Sequence, residues 1–222
     1  MADVSELVYK PITNKTYKRL IKRFVPDCDF KTGAWIAGGS VRKVWFDLPW
    51  EDQDIDLFFA SEEQFQLAKN KLTENVPKPE PVSFFDFNVL NTTAVKSPSV
   101  SEYETGNAVT FTVYTDKEFD HEHFKIQAIK RYFVNNINEL FQSFDFTVTQ
   151  FATDGNIMVT TRQALQDCEE KRLQMIKGTS RPVNALRTIK YTAYGFEPID
   201  TLMEEVVIAL ANGDEVMIAD DY

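Results

Sequence analysis

The stretch that decides the fold of this chain begins with Gly38-Gly39-Ser40-Val41-Arg42 and ends with Asp54-Ile55-Asp56-Leu57. A short apolar run at 34–37 (AWIA) precedes the glycine pair, and the apolar residues of 41–46 (VRKVWF) have helical spacing. Residues 54–60 (DIDLFFA) are rich in the bulky apolar side chains that strands favour. The sequence therefore predicts a strand, a tight glycine turn, a helix, a loop and a second strand that carries two aspartates.

Asp54 and Asp56 have the spacing of a metal-binding pair. Side chains at positions i and i+2 of a strand project from the same face, about 7 Å apart along the chain. Two such carboxylates can hold Mg²⁺ or Mn²⁺ through hard oxygen ligands. Ions held in this way clamp the attacking and leaving oxygens of an in-line phosphoryl displacement. We therefore predict that both aspartates are metal ligands and catalytic residues.

The glycine turn complements the acidic pair with groups suited to phosphate. Gly38, Gly39 and Ser40 open a helix whose backbone N–H groups can approach an anion. Arg42, one turn into that helix, can contact a phosphate bidentately. Either half of the pattern alone also suits a hairpin turn or a solvated strand end, but the two together in this order are specific. The pattern predicts a nucleoside-triphosphate site built around metal-chelated phosphates.

Composition and charge restrict the partners of the chain. Its 222 residues include 24 Lys and Arg against 34 Asp and Glu, a formal net charge of −10. This balance argues against a nucleic-acid coat protein or a membrane-surface protein, although a local basic groove is compatible with it. Cys28 and Cys168 are the only cysteines, and no Cys or His residues have the spacing of a metal site. Free thiols in a reducing compartment are therefore expected. With no signal peptide or bilayer-spanning apolar run, we expect a cytoplasmic protein (the host cytoplasm for a viral one) without a membrane partner.

A third carboxylate usually completes a two-metal site and helps to deprotonate the attacking hydroxyl. Asp145 is our candidate for this catalytic and metal-binding role, because it alternates with phenylalanines in a predicted strand at 144–152 (FDFTVTQFA). Its alternative role is to hydrogen-bond the backbone near the start of that strand. Asp86 and Glu104 are weaker candidates for the third acid.

Two further features have simpler interpretations. Trp50, in a loop beside the site, can stack on a base, but packing in the core is the favoured interpretation. His121 and His123 form an HxH pattern in an acidic loop. Without a third spaced ligand, this pattern indicates polar surface rather than a metal site.

Three segments in the same order resemble a known family. Residues 38–59 (GGSVR…DIDLFF) resemble the signature of the DNA polymerase β-like nucleotidyltransferase superfamily, in particular the GGxVRD…DxD pattern of class II CCA-adding enzymes and bacterial poly(A) polymerases. Residues 144–155 (FDFTVTQFATDG) are similar to the RRDFTxNAxAYD segment of that branch. Residues 169–196 are similar to its neck segment, which ends in DPxRxLRxxRFAxxxGF. The resemblance spans most of the chain.

The resemblance implies an α+β fold: a small mixed sheet with flanking helices, followed by a helical C-terminal part. It implies a nucleotidyltransferase-like head domain over 1–157 and a helical neck-like domain over 158–212, with an acidic tail over 213–222. Arg187 and Lys190, three positions apart on the neck-like helix, would reach the triphosphate. Their alternative role is a solvated basic stripe.

The chain also departs from the pattern of that family. Lys43 replaces the Asp of VRD, Ser143 and Phe144 replace the arginines of RRD, Thr149 replaces the following Asn, and Asn184 replaces the neck arginine. In the family the arginine-aspartate group contacts the sugar of the incoming nucleotide, so we expect altered ribose recognition. The sequence also stops soon after the neck, without the domains that hold tRNA, so the tRNA CCA end is not the expected acceptor.

The function expected from the sequence is metal-dependent transfer of a nucleoside monophosphate from an NTP to a hydroxyl, with release of pyrophosphate. The acceptor, an RNA or protein hydroxyl, stays open, as do the base and the oligomeric state. The rival expectation is a non-catalytic nucleotide-binding or structural subunit with the same fold, for example in a viral assembly.

Overall fold

The computed structural model describes residues 6–25, 28–74, 100–114, 123–176, 182–199, 202–204 and 207. Several predicted features therefore lie outside the described residues. They are Asp86, His121 and the tail at 213–222.

The described residues form an α+β structure, as the sequence predicts. The strands are β1 Leu7–Pro11, β2 Trp35–Ala37, β3 Ile55–Phe58, β4 Val100–Glu104, β5 Ala108–Tyr114, β6 His123–Ile129, β7 Phe151–Thr153, β8 Ile157–Thr161, β9 Arg172–Leu173 and β10 Glu197–Pro198. The helices are α1 Lys15–Phe24, α2 Gly39–Trp45, α3 Glu62–Glu74, α4 Ile137–Ser143, α5 Arg162–Glu169 and α6 Pro182–Ala193, with a 3₁₀ turn at Thr147–Thr149. Within these ranges, none of the helices has both the length and the apolar character needed to cross a bilayer.

The main sheet is mixed and larger than predicted, with eight strands in the order β1-β8-β7-β2-β3-β6-β5-β4. β2 is antiparallel to β3, and Ala37 at the end of β2 pairs with Asp56. β3 is parallel to β6, and there Asp56 pairs with Gln127. The end of the glycine-turn strand, the acidic strand and β6 therefore meet at one place in the sheet.

The sheet contributes to two separate core clusters, because successive side chains of a strand face opposite sides. On β2, Ile36 packs into the larger core cluster, while Trp35 and Ala37 belong to the second cluster beside α4. Trp50 is almost fully buried and its ring stacks on Phe124 at a centroid distance of 5.4 Å. The prediction that Trp50 packs in the core is confirmed.

The described part of the polar stretch at 97–107 contains β4, at one end of the strand order. β4 pairs with β5 along its whole length, from Val100 opposite Val113 to Glu104 opposite Val109. Lys130 and Lys69 bind the Glu104 carboxylate and lower its pKa to about 2. Glu104 is therefore part of a surface ion-pair cluster and not the third acid of the site.

The predicted strand at 144–152 is correct only at its end, because this stretch turns before β7 begins at Phe151. The Thr149 hydroxyl donates to the Phe146 carbonyl at 2.7 Å, and the backbone forms one 3₁₀ turn. Threonine hydroxyls that bond nearby carbonyls compete with strand pairing, so the apolar-polar alternation is misleading here.

The buried Asp167 of α5 holds this turn in place. Its carboxylate accepts hydrogen bonds from the Thr147 hydroxyl at 2.6 Å, from Gln163 at 2.9 Å and from Arg172 at 2.8 Å. The Asp145 carbonyl accepts from the backbone N–H of Ile176 at 2.8 Å. The segment around Asp145 is thereby fixed against α5 and the residues that follow it.

The main sheet continues past residue 157, where the sequence places the end of the head domain. β8 pairs with β7 on one side and with β1 on the other. The side chain of Thr161 then accepts from the backbone N–H of Ala164 and begins α5. The division into head, neck and tail stays a prediction.

The two thiols differ in burial, which predicts different reactivity. Burial raises the pKa of Cys168 to about 12, so at pH 8 only about one thiol in 10⁴ is the reactive thiolate. Cys28 is half-buried.

Iodoacetamide at pH 8 should therefore alkylate Cys28 much faster than Cys168 in the folded protein. In guanidinium it should alkylate both thiols. Mass spectrometry of digests measures the modification of each cysteine. Equal rates in the folded protein would contradict the buried position of Cys168.

Candidate active site

A cavity opens where β2 ends and β3 begins. Seven of the nine residues predicted for the site line it: Gly38, Gly39, Asp54, Asp56, Asp145, Arg187 and Lys190. They come from the glycine turn, the acidic strand, the turn after α4 and the helix α6. Segments far apart in sequence therefore meet here, as the motif predicts.

The two aspartates at the start of β3 form an electronegative pair. Asp54 accepts a hydrogen bond of 3.0 Å from Nε2 of Gln127, and burial raises its pKa. The pKa of Asp56 is raised well above its usual range, first by burial and then by the charge of Asp54. Oδ1 of Asp56 is buried and has no hydrogen-bond partner in the described part of the chain.

This donor set fits a hard divalent cation. Burial of a carboxylate oxygen without a hydrogen-bond donor costs free energy, because the oxygen loses its hydrogen bonds to water and forms none with the protein. A cation between Asp54 and Asp56 would satisfy that oxygen and remove the repulsion between the carboxylates. The pair can therefore bind Mg²⁺ or Mn²⁺.

The glycine turn is held close to this pair. Gly38 has φ 93° and ψ −143°, a conformation open essentially to glycine alone, and its N–H donates to the Phe151 carbonyl at 2.8 Å. A Cβ at Gly38 would lie 3.3 Å from Oδ2 of Asp56, and one at Gly39 would lie 2.8 Å from Oε1 of Gln53. Both glycines therefore leave room for the acidic pair and the residue before it.

Asp145 lines the cavity but forms an ion pair with Arg187 of α6. Both side chains are largely buried, so this contact is a strong electrostatic one. Among the described residues, no three His, Cys, Asp or Glu side chains are grouped as a metal site. The structure thus brings Asp145 to the site without joining it to Asp54 and Asp56 as a third metal-binding carboxylate.

The cationic side of the cavity comes from α6. Arg187 and Lys190 lie three positions apart on this helix and both line the cavity. The charges of Lys125 and Lys190 lower the pKa of Asp54 against the opposing effect of burial, and those of Lys190 and Arg187 do so for Asp56. Three cations therefore act on the two aspartates, and the two from α6 line the cavity, an arrangement suited to a polyanion bridged by a metal ion.

Ser40 and Arg42 are not among the residues that line this cavity. The Ser40 hydroxyl is buried and shares a hydrogen bond of 3.2 Å with the Tyr17 hydroxyl. The Arg42 guanidinium lies over the rings of Tyr191 and Phe196, at 5.2 and 5.3 Å. One guanidinium nitrogen of Arg42 is buried without a hydrogen-bond partner among the described residues. The contact of Ser40 and Arg42 with phosphate stays a prediction.

Some residues of the cavity were not singled out from the sequence. Phe58, Tyr132 and Phe144 form an aromatic cluster on one wall, with Phe58 and Phe144 centroids 5.5 Å apart. Gln127 also lines the cavity and was not singled out. A glutamine within a largely apolar strand (FKIQAI) is a sequence signal that could have identified it. The aromatic cluster has no such signal, because its members come from three separate segments.

Comparison with solved structures shows that the fold is similar to that of CCA-adding enzymes and of a tRNA-processing enzyme. A CCA-adding enzyme in complex with CTP is similar over 93% of this chain and 46% of that chain, with a TM-score of 0.58 and 12% identity. The Thermotoga maritima CCA-adding enzyme complexed with tRNA has a TM-score of 0.54 and 14% identity over 93% of this chain and 46% of that one. A tRNA-processing enzyme in an apo form has a TM-score of 0.50 and 17% identity, with 81% and 42% covered. This chain thus spans just under half the length of these structures.

The chain belongs to the Gabija anti-defense 2 family, whose model matches residues 11–171. That match includes the glycine turn, the acidic pair and Asp145, but ends before α6. No curated protein matches the chain significantly.

Replacement of Gly38 by Ala tests the role of the turn. The new side chain would be strained at this φ and would approach Asp56, so Gly38→Ala should lower the free energy of unfolding by about 2 kcal/mol. Gly106→Ala is the matched control, because Gly106 has open space around its Cβ position and should change stability little. Urea denaturation measures both, and equal effects would contradict the requirement for glycine at Gly38.

Because Asp145 and Arg187 form an ion pair, substitutions at these two positions should have non-additive effects on the free energy of unfolding. Asp145→Asn leaves the buried Arg187 without this carboxylate and should cost about 3 kcal/mol, whereas the further change Arg187→Met should restore part of the loss. A double-mutant cycle by urea denaturation measures the coupling. Strictly additive effects of the two changes would contradict the pair.

Proposed function

We propose that this protein is a metal-dependent nucleotidyltransferase, which transfers a nucleoside monophosphate from an NTP to an acceptor hydroxyl and releases pyrophosphate. The observation that carries the proposal is the buried Oδ1 of Asp56, without a hydrogen-bond partner among the described residues, beside a second carboxylate and a glycine turn. A bound ion is one of the explanations for a buried polar atom of this kind, and the second carboxylate beside it favours that explanation.

The residues of the cavity have complementary roles in this reaction. Asp54 and Asp56 hold Mg²⁺ or Mn²⁺, which when bound stabilises the charge that develops on the transferred phosphoryl group. Arg187 and Lys190 neutralise the triphosphate from the side of α6. Gly38 and Gly39 leave the backbone open to a phosphate beside the aspartates. The chemistry is mostly positioning and charge stabilisation, so these groups account for most of the catalysis.

We assign Asp145 a positioning role rather than the activation of the nucleophile. Its ion pair with Arg187 orients a guanidinium that lines the cavity. Ser40 and Arg42 likewise support the turn and α6 through their packing. The residues in direct contact with the nucleotide are therefore fewer than the sequence motif suggests.

The acceptor we propose is a hydroxyl of a macromolecule of the Gabija defence, because the family is described as anti-defense against Gabija. The fold neighbours named as CCA-adding enzymes include one complexed with tRNA, but their identity to this chain is only 12–14%. The net charge of −10 opposes long contacts with a phosphate backbone. A protein hydroxyl is therefore favoured over RNA, and the supply of NTPs places the reaction in the cytoplasm.

A second candidate is nucleotide binding without transfer. It is favoured by the Asp145–Arg187 pair, because that contact engages the acid expected to activate the nucleophile. Such a protein would counter the defence by sequestering or sensing a nucleotide.

Incubation with each α-labelled NTP, in Mg²⁺ or Mn²⁺ and with cell lysate that contains Gabija components, tests transfer directly. Asp54→Asn and Asp56→Asn should each reduce transfer about a thousandfold or more, because the metal ions would lose a carboxylate ligand. Asp52→Asn is the matched control, because Asp52 is exposed, pairs with Lys43 at 2.6 Å and does not line the cavity. It should keep transfer within about twofold.

The outcome distinguishes a protein acceptor from an RNA acceptor, and nucleotide transfer from nucleotide binding alone. Label that becomes sensitive to protease indicates a protein acceptor, and sensitivity to ribonuclease indicates RNA. Transfer that survives Asp56→Asn would overturn the assignment of the site. Binding of an NTP without transfer by the wild-type protein, with all acceptors present, would favour the second candidate.

A further inference from the structure

Gln127 lies beside the acidic pair in the sheet. It is on β6, parallel to β3, in register with Asp56. Register partners on neighbouring strands direct their side chains to the same face, and both residues line the cavity. Gln127 is only 5% exposed, so its amide is almost entirely removed from solvent.

The hydrogen bond to Asp54 determines which way the amide points. A carboxylate oxygen only accepts, so the group that donates to Oδ2 of Asp54, at 3.0 Å, is Nε2. The other end of the amide, Oε1, is buried and has no hydrogen-bond partner in the part of the chain that the structure describes. The orientation of the amide is thus set by Asp54 and leaves a carbonyl oxygen for something else.

Two buried oxygens on adjacent strands therefore lack partners: Oδ1 of Asp56 and Oε1 of Gln127. When Asp56 is ionised both are acceptors, so neither can satisfy the other. Amide carbonyl oxygens are hard ligands that bind Mg²⁺, Mn²⁺ and Ca²⁺ together with carboxylates. A divalent cation bound by both oxygens would satisfy them at once.

We propose that Oε1 of Gln127 is a third protein ligand of the divalent cation, and this inference rests on the proposed function. Its N–H group holds Asp54 while its carbonyl binds the ion, so one side chain both orients and completes the ligand set. Because the third ligand is neutral, the protein supplies two formal negative charges to the ion, one from each aspartate. A site with three carboxylates would supply three. The protein then binds the ion less tightly in the absence of phosphate than a three-carboxylate site would.

Metal binding without nucleotide tests this proposal. Mn²⁺ and Cd²⁺ affinities are measured by calorimetry for the wild type, Gln127→Met and Gln127→Leu. Met is close to Gln in size but offers a soft thioether, whereas Leu offers no ligand. Gln127→Met should weaken Mn²⁺ binding about tenfold while retaining Cd²⁺ binding, and Gln127→Leu should weaken the binding of both metals.

A role of Gln127 limited to its hydrogen bond with Asp54 predicts a different pattern, in which Met and Leu weaken both metals equally. That result, or unchanged Mn²⁺ affinity in Gln127→Met, would overturn the proposal. Gln66→Met is the control, because Gln66 is an exposed glutamine of α3 that does not line the cavity, so this variant should keep the Mn²⁺ affinity of the wild type. Circular dichroism verifies that each variant is folded, and if Leu does not fold, the comparison of the two metals in Gln127→Met decides.

Asp56→Asn separates failure of this inference from failure of the proposed function. If Asp56→Asn weakens Mn²⁺ binding and Gln127→Met does not, only the role of Gln127 is wrong. If the wild type binds no Mn²⁺, or Asp56→Asn leaves its binding unchanged, the metal site itself is wrong and the inference with it.

Discussion

The close approach of the Asp56 carboxylate to the Gly38 turn is the constraint on which the site depends. The pairing of Ala37 with Asp56 places the end of β2 directly beside the acidic strand. The chain must then turn away through a conformation with φ 93°, with only 3.3 Å between the Cβ position and Oδ2. Glycine accommodates both requirements, and the buried aspartate stays accessible from the cavity because the turn carries no side chain.

Charge balance connects this core of the site to α6. Two aspartates with raised pKa values lie near Lys190 and Arg187, and Arg187 is itself bound by Asp145. Asp145 is held by the turn that Asp167 of α5 anchors. The position of the cationic wall therefore depends on contacts between segments twenty or more residues apart, which makes α6 part of the site.

The differences from the resembled family have a physical pattern. Phe144, in place of an arginine, belongs to an aromatic wall with Phe58 and Tyr132. This side of the cavity therefore presents a flat apolar surface at the position where the resembled pattern has an arginine. Such a surface suits contact with a planar ring more than a hydrogen bond to a sugar hydroxyl. This change is compatible with an unusual acceptor or nucleotide in a family described as anti-defense.

The sequence by itself determined the α+β class, the glycine turn and the acidic pair, because these depend on local spacing and on residue types with few alternative uses. It was wrong about most of 144–152, where a threonine hydroxyl bonds a nearby carbonyl and the backbone forms a 3₁₀ turn. Only the tertiary structure assigned Arg42 to packing, Asp145 to an ion pair and Gln127 to the site. A side chain's partner comes from whichever segment packs against it, and neighbouring strands such as β3 and β6 lie some seventy residues apart in sequence. No local pattern contains that information.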